Sequence, residues 1–187
     1  MIKRLLDLII AVHAAILFAV PYIVIMVGVR LSSPGPAIYW SWRAGRQGQF
    51  FRMPKFRSMR TDTPEVATDK LDDPGTYVTS FGSFLRRTSL DEIPQIYSVL
   101  RGDMSIVGPR PALHNQHELI AKRVALGIDQ LRPGVTGWAQ INGRDEIALQ
   151  DKLRFDREYL ARQSLFFDLK IILLTVLTVG RSRGVSH

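Results

Sequence analysis

Asp91 and Glu92 are adjacent carboxylates set a few residues behind Arg86 and Arg87, in a stretch, FLRRTSLDEIPQIYSVLRGDMSIVGPRP from Phe84 to Pro111, that closes on Gly-Pro-Arg-Pro. Ionised carboxylates bind a divalent cation or attack an electrophile. A guanidinium between two prolines presents its planar fork of donors with little entropy left to lose. Together these groups suit phosphate chemistry, and Arg110 suits a diphosphate. Taken singly, the acidic pair is equally a partner for a helix dipole, and Pro109-Arg110-Pro111 equally a rigid loop.

The element that must hold the pair follows from periodicity. Leu85, Leu90, Ile93, Ile96, Tyr97 and Leu100 recur at three- and four-residue spacings, which predicts an amphipathic helix from Ser89 to Leu100. Ser89 or Thr88 is its expected cap, Asp91 and Glu92 fall in its first turn, and Pro94 is early enough to be tolerated. At a positive helix terminus beside two guanidinium groups, the carboxylates are expected to stay ionised at neutral pH. Gly102-Asp103 ends the helix, and a short apolar run leads to Gly108.

A chain of 187 residues with 46% hydrophobic content and no cysteine fits one domain plus a membrane element, without disulfides or cysteine-bound zinc. Its formal charge of +8 suits either nucleic acid or an anionic membrane surface. The distribution decides between them. Residues 5 to 29 form an apolar run long enough to cross a bilayer of about 30 Å, preceded by Lys3-Arg4 and followed by Arg30. The run is too long for a signal peptide and has no small-residue cleavage site. Pro21 interrupts its hydrogen bonding at the Leu17 carbonyl, and no acid falls between Arg30 and Arg60, so positive charge keeps both ends on the cytoplasmic side. A bent, re-entrant helix satisfies both features; a spanning helix is the alternative. The basic cluster adjoining this run argues for membrane lipids as partners and against nucleic acid.

Two regions are expected: a membrane-inserted helix over residues 1–31, bent near Pro21, and a cytoplasmic-face catalytic domain over 32–187. Ser32 to Pro36 is the turn cluster between them. Ala37 to Trp40 and Gln49 to Arg52 read as strands of a short β-hairpin around Arg43 to Gly48, with Trp40, Trp42, Phe50 and Phe51 among arginines. Thr61 to Pro74 reads as a polar loop and His114 to Leu126 as a helix; His114 and His117 lack an evident third metal ligand. Leu131 to Trp138 reads as a loop, Trp138 to Ile141 as a short strand, and Asn142-Gly143-Arg144 as a turn carrying a cation. Asp145 to Gln163 is a charged helix. Leu165 to Val179 is an apolar helix of the core or of the membrane interface. Asp7 is expected at the membrane interface. The fold class is α+β, mostly helical, with interfacial amphipathic helices.

Several ordered motifs resemble one family. SLDEIPQIYSVLRGDMSIVGPRP, then LRPGVTGWAQINGR at Leu131 to Arg144, and before both KFRSM at Lys55 to Met59, are similar to the bacterial sugar transferases, the monotopic phosphoglycosyl transferases. The resemblance runs from Lys3-Arg4 to Phe167-Asp168-Leu169-Lys170. This chain has Ala19-Val20 where members often carry Ser-Pro at the membrane bend, and Ser41 and Met53-Pro54 where Gln and an aromatic are frequent.

The resemblance implies an enzyme of the bacterial inner membrane that moves a sugar 1-phosphate from a UDP-sugar to polyprenol (undecaprenyl) phosphate. Asp91 would attack the sugar-bearing phosphorus and bind Mg2+, and Glu92 would orient the metal or the lipid phosphate. Arg86, Arg110 and Arg144, with Lys55 and Arg57, would hold phosphates. Asp168 matches a family position; read as a lone acid, it is expected merely to hold an arginine in place. A non-catalytic basic adaptor at the membrane surface is the alternative, and no residue specifies the sugar.

Overall fold

The structure, a computed structural model, describes residues 2–64, 73–143 and 147–180. Helices α1 (Ile2–Leu17) and α2 (Ala19–Ser32) open the chain, and their axes bend by 61° at the break between them. Pro21 accounts for the bend, since it gives the Leu17 carbonyl no donor and its ring crowds that oxygen. Neither helix alone is long and apolar enough to cross a membrane; the bent pair together meets both criteria.

Both legs of the pair are built into the rest of the fold. Ala11 of α1 packs with Phe51, Met53, Val99 and Met104, while Ile25 and Val29 of α2 pack with Ala37, Phe56 and Leu85. The charges of α1 are used in the same way. Lys3 Nζ donates to Asp168 Oδ2 (2.7 Å) and to the Val107 carbonyl (3.1 Å), and Arg4 donates to the Val99 and Leu100 carbonyls. Asp7, expected at a lipid interface, is buried in protein and accepts from Ser105 Oγ (2.9 Å) and the Ile106 N–H (3.0 Å). Asp168 pairs with a lysine rather than the expected arginine.

Strands β1 (Ile38–Ala44) and β2 (Phe50–Phe56) form an antiparallel hairpin around a 3-10 turn at Arg46–Gly48. Alternation divides its faces: Ser41, Phe51 and Met53 are buried, while Trp40, Trp42, Phe50 and Arg52 are exposed. The hairpin is longer than the sequence suggested because it runs through Pro54, which β2 tolerates as the edge strand of a two-stranded sheet.

The helical segment beyond it departs from expectation. Short α3 (Pro74–Tyr77) precedes α4 (Ser80–Thr88), which Thr79 caps through the Gly82 N–H. Ser89 then takes the left-handed conformation (φ 56°, ψ 16°) and closes α4 by donating its N–H to Arg86. A 3-10 segment, Leu90–Gln95, and α5 (Ile96–Arg101) follow. The predicted helix from Ser89 to Leu100 is present, but its first half, Leu90–Gln95, is 3-10 and only Ile96–Arg101 is α-helical. Ser89 both closes α4 and begins the next segment, its carbonyl accepting from the Glu92 N–H, and it makes no side-chain capping bond.

Strand β3 (Ser105–Val107) is followed by α6 (His117–Ala125), a 3-10 turn at Ile128–Gln130 and β4 (Gly134–Thr136). β3 and β4 are parallel, with Ser105 opposite Gly134 and Val107 opposite Thr136. This second sheet was missed. The strand expected at Trp138 to Ile141 is helix α7 (Trp138–Ile141), and the strand lies in the Gly-rich stretch just before it. Backbone approach explains the choice: a Cβ on Gly134 would sit 2.1 Å from Gly108 N, so only glycine lets these chains meet. Helices α8 (Leu149–Arg162) and α9 (Leu165–Gly180) close the fold, packing Tyr159, Phe167 and Ile171 against Val107 and Leu131. The architecture is α+β, as expected.

Candidate active site

The left-handed Ser89 redirects the chain so that Asp91 and Glu92 open the 3-10 segment beside β2. Across from them stands Lys55, next to last in β2. Lys55 Nζ donates to Glu92 Oε1 at 2.6 Å and lies 3.9 Å from Asp91 Oδ2. Arg110, from the Gly-Pro-Arg-Pro loop after β3, brings Nη1 to 3.5 Å from the same Glu92 oxygen. Three chain segments thus bring Lys55, Asp91, Glu92 and Arg110 into one cluster.

The two carboxylates are not equivalent. Asp91 is buried at 7% exposure. Burial pushes its carboxyl above the usual aspartate range, against the pull of Lys55, Arg86 and Arg110, and the neighbouring Glu92 adds to the rise. Burial acts upward on Glu92 as well, but Lys55 and Arg110 prevail and bring it down to about 2. The expectation that both simply stay ionised beside guanidinium groups therefore fits Glu92, whereas desolvation works against it at Asp91.

The other predicted residues separate. Arg86, in the last turn of α4, adds positive potential at Asp91. Arg57 is directed elsewhere: its guanidinium donates to the Pro34 carbonyl (2.5 Å) and to Ser33 O and Oγ (2.7 and 2.9 Å), strapping the exit of α2 to the strand that carries Lys55. Arg144 lies outside the described residues, as does most of the polar loop after Thr61.

The loop bearing Arg110 is held by groups that no local pattern announced. Arg123 of α6 donates to the Arg110 carbonyl at 2.7 Å, and Asp156 of α8 accepts from Arg123 Nε and Nη2 at 3.0 and 2.6 Å. Both side chains are buried. Arg43 donates to the Pro111 carbonyl. Their spacing in the chain follows neither a helical nor a strand period, so only the fold brings them together.

Whether these residues fit Mg2+ depends on its habits as a ligand. That ion usually takes one or two protein carboxylates and completes its shell with substrate phosphates and water. Among the described residues no group of three or more His, Cys, Asp or Glu could cage a metal. Asp91 is a buried carboxylate whose pair with Lys55 is long, so it suits an ion that arrives with a diphosphate.

Comparison with known proteins bears on the family. The family described as bacterial sugar transferase matches residues 1–182. A UDP-glucose:undecaprenyl-phosphate glucose-1-phosphate transferase of Xanthomonas campestris pv. campestris is 44% identical over 185 residues, covering 95% of this chain and 38% of that protein. The Escherichia coli (strain K12) protein of the same name is 41% identical over 184 residues, 94% of this chain and 39% of its own length. The chain thus spans about two fifths of these two relatives. The exopolysaccharide production protein ExoY of Rhizobium meliloti (strain 1021) is closer in size: 38% identity over 201 residues covers 98% of this chain and 88% of that one. With a match across nearly its whole length, the chain belongs to the bacterial sugar transferase family.

Proposed function

We propose that this chain is a phosphoglycosyl transferase that moves a sugar 1-phosphate from a UDP-sugar to polyprenol phosphate at the cytoplasmic face of the bacterial inner membrane. The products are polyprenol-diphosphate sugar and UMP. The observation that carries this reading is the cluster itself: a buried aspartate beside a glutamate clamped by Lys55 and Arg110. The printed names of two relatives, each a UDP-glucose:undecaprenyl-phosphate transferase, supply the substrate class and make UDP-glucose the first donor to try.

In this reading an Asp91 oxygen attacks the sugar-bearing phosphorus of the donor. The bond from that phosphorus to the bridging oxygen breaks, and UMP leaves with the electron pair. An oxygen of polyprenol phosphate then attacks the same phosphorus and releases Asp91. A carboxylate lifted by burial is the more basic and nucleophilic of the two once ionised, which supports attack by Asp91. Glu92, ionised throughout, keeps Lys55 and Arg110 in place for the phosphates. Arg86 and Arg144 add positive charge around the diphosphate. Mg2+ held by Asp91, with Glu92 orienting it, would neutralise diphosphate charge.

The membrane element fits a lipid acceptor. Both ends of the bent pair dock on one domain, α1 through Lys3, Arg4 and Asp7 and α2 through the Ser33–Arg57 strap, which supports a re-entrant course. Such a course holds Asp91 at headgroup height, where a polyprenol phosphate presents its charge.

Radiolabelled UDP-sugar tests the chemistry. Wild-type protein is expected to take up label covalently and release UMP, and Asp91→Asn to lose both. Sequential kinetics with no labelled protein under any quench would overturn the reading.

A further inference from the structure

Pro109 and Pro111 have no N–H, so the loop that carries Arg110 must be held mainly by its carbonyls. Four consecutive ones are taken. Pro109 accepts from Gly134 N (2.9 Å), Arg110 from Arg123 Nη1 (2.7 Å), Pro111 from Arg43 Nη1 (3.2 Å) and Ala112 from Ala44 N (2.9 Å). The bond to Arg110 itself comes from a buried side chain, and Asp156 fixes that side chain through two of its other nitrogens. Stability explains this arrangement poorly, because well-packed apolar residues commonly replace a buried ion pair at no loss. Its geometry explains it better: the one nitrogen not spent on Asp156 is placed on the residue whose side chain meets Glu92.

We propose that Arg123, held by Asp156, is a positioning residue that fixes the Arg110 backbone and thereby aims its guanidinium at Glu92 and the donor diphosphate. This rests on the transfer reaction proposed above and on the part Arg110 takes in it. With the Arg110 backbone released, the guanidinium can wander by an ångström or more, a misplacement of the kind that costs up to about a hundredfold in rate.

A double-mutant cycle on the full chain in lipid nanodiscs tests it, with UMP release as the readout. Arg123→Gln is expected to lower kcat on the order of tenfold in the wild-type background, and by less than about twofold when Arg110 is already alanine. Equal losses in the two backgrounds would mean that Arg123 acts on the fold at large, and would overturn the proposal. If Arg123→Gln does not fold, Asp156→Asn, which keeps volume and an acceptor oxygen, enters the same cycle with the same two outcomes.

A second readout needs no turnover, so it separates this proposal from the transfer reaction. The guanidinium of Arg110 reaches Glu92 from a loop whose carbonyl Arg123 holds. The NMR resonance of the Arg110 Nε–H, identified by its loss in Arg110→Ala, is expected to shift and broaden in folded Arg123→Gln. An unmoved and equally sharp Arg110 resonance in a folded variant would overturn the proposal even if UMP release is robust.

Discussion

Asp91 and Glu92 share a turn of backbone and the same lysine, yet burial lifts the first while Lys55 and Arg110 hold the second at about 2. The consequences for pH are opposite in sign. Asp91 keeps its proton to higher pH in the fold than in the unfolded chain, so stability falls as pH rises through its shifted value, and the carboxylate proposed to attack appears over that same interval. The stabilisation due to Glu92 is present above its unfolded value and is lost as pH falls toward 2. The rate of covalent labelling is therefore expected to rise with pH about a midpoint above the ordinary aspartate value of about 3.9. Lys55→Met removes the largest force holding Asp91 down and is expected to move that midpoint further up. A labelling midpoint at or below the ordinary aspartate value, unmoved by Lys55→Met and with Asp91 still required, would show that the carboxyl is not displaced.

At the scale of elements, the junction of β3 and β4 sets the height of the Arg110 loop. Gly134 donates its N–H to Pro109, and a Cβ there would lie 2.1 Å from Gly108 N and 2.3 Å from the Thr136 carbonyl, all backbone that cannot yield. Gly134→Ala is expected to cost about 2 kcal/mol or more, read as a lower Tm, and to slow UMP release in the protein that remains folded. An unchanged Tm would mean that the two strands have room to part. This junction was also the least legible part of the sequence. Leu131 to Trp138 reads as a loop because glycine and proline punctuate it, and a three-residue parallel strand has too few positions to show a period. The helix at Trp138 to Ile141 is a single turn, too short for periodicity to separate from a strand. The motif residues Lys55, Asp91, Glu92 and Arg110 could be named from the chain alone. The bracing of Arg110 by Arg123 and Asp156 could not, since nothing local couples α6 to α8. Arg57 shows the converse, a motif residue whose guanidinium secures the exit of α2.

Over the whole molecule, apolar side chains stay exposed along α1 and α2, including Leu5, Ile9, Ile16, Leu17, Val20, Val24 and Leu31, and again on α9 at Phe166, Leu173 and Val176. Soluble surfaces seldom leave so many large apolar side chains uncovered on neighbouring turns, and lipid is the covering that suits a bent pair of this composition. The pair is nevertheless part of the core. Asp7 is tied to β3 by two donors, so Asp7→Ala is expected to cost about 3 kcal/mol in thermal unfolding, against less than about 0.5 for exposed Asp62→Ala. Similar Tm values for the two variants would make α1 a detachable anchor. Topology has its own test, which the absence of cysteine makes clean. Single cysteines at Ile2 and Leu31 mark the two ends of the pair and one at Leu17 marks its bend. Because both ends dock on the same domain, an impermeant maleimide is expected to reach Ile2→Cys and Leu31→Cys only from the cytoplasmic side, and Leu17→Cys from neither. Labelling of Ile2→Cys and Leu31→Cys from opposite sides would establish a crossing, which the Lys3–Asp168 and Ser33–Arg57 ties could not accommodate together.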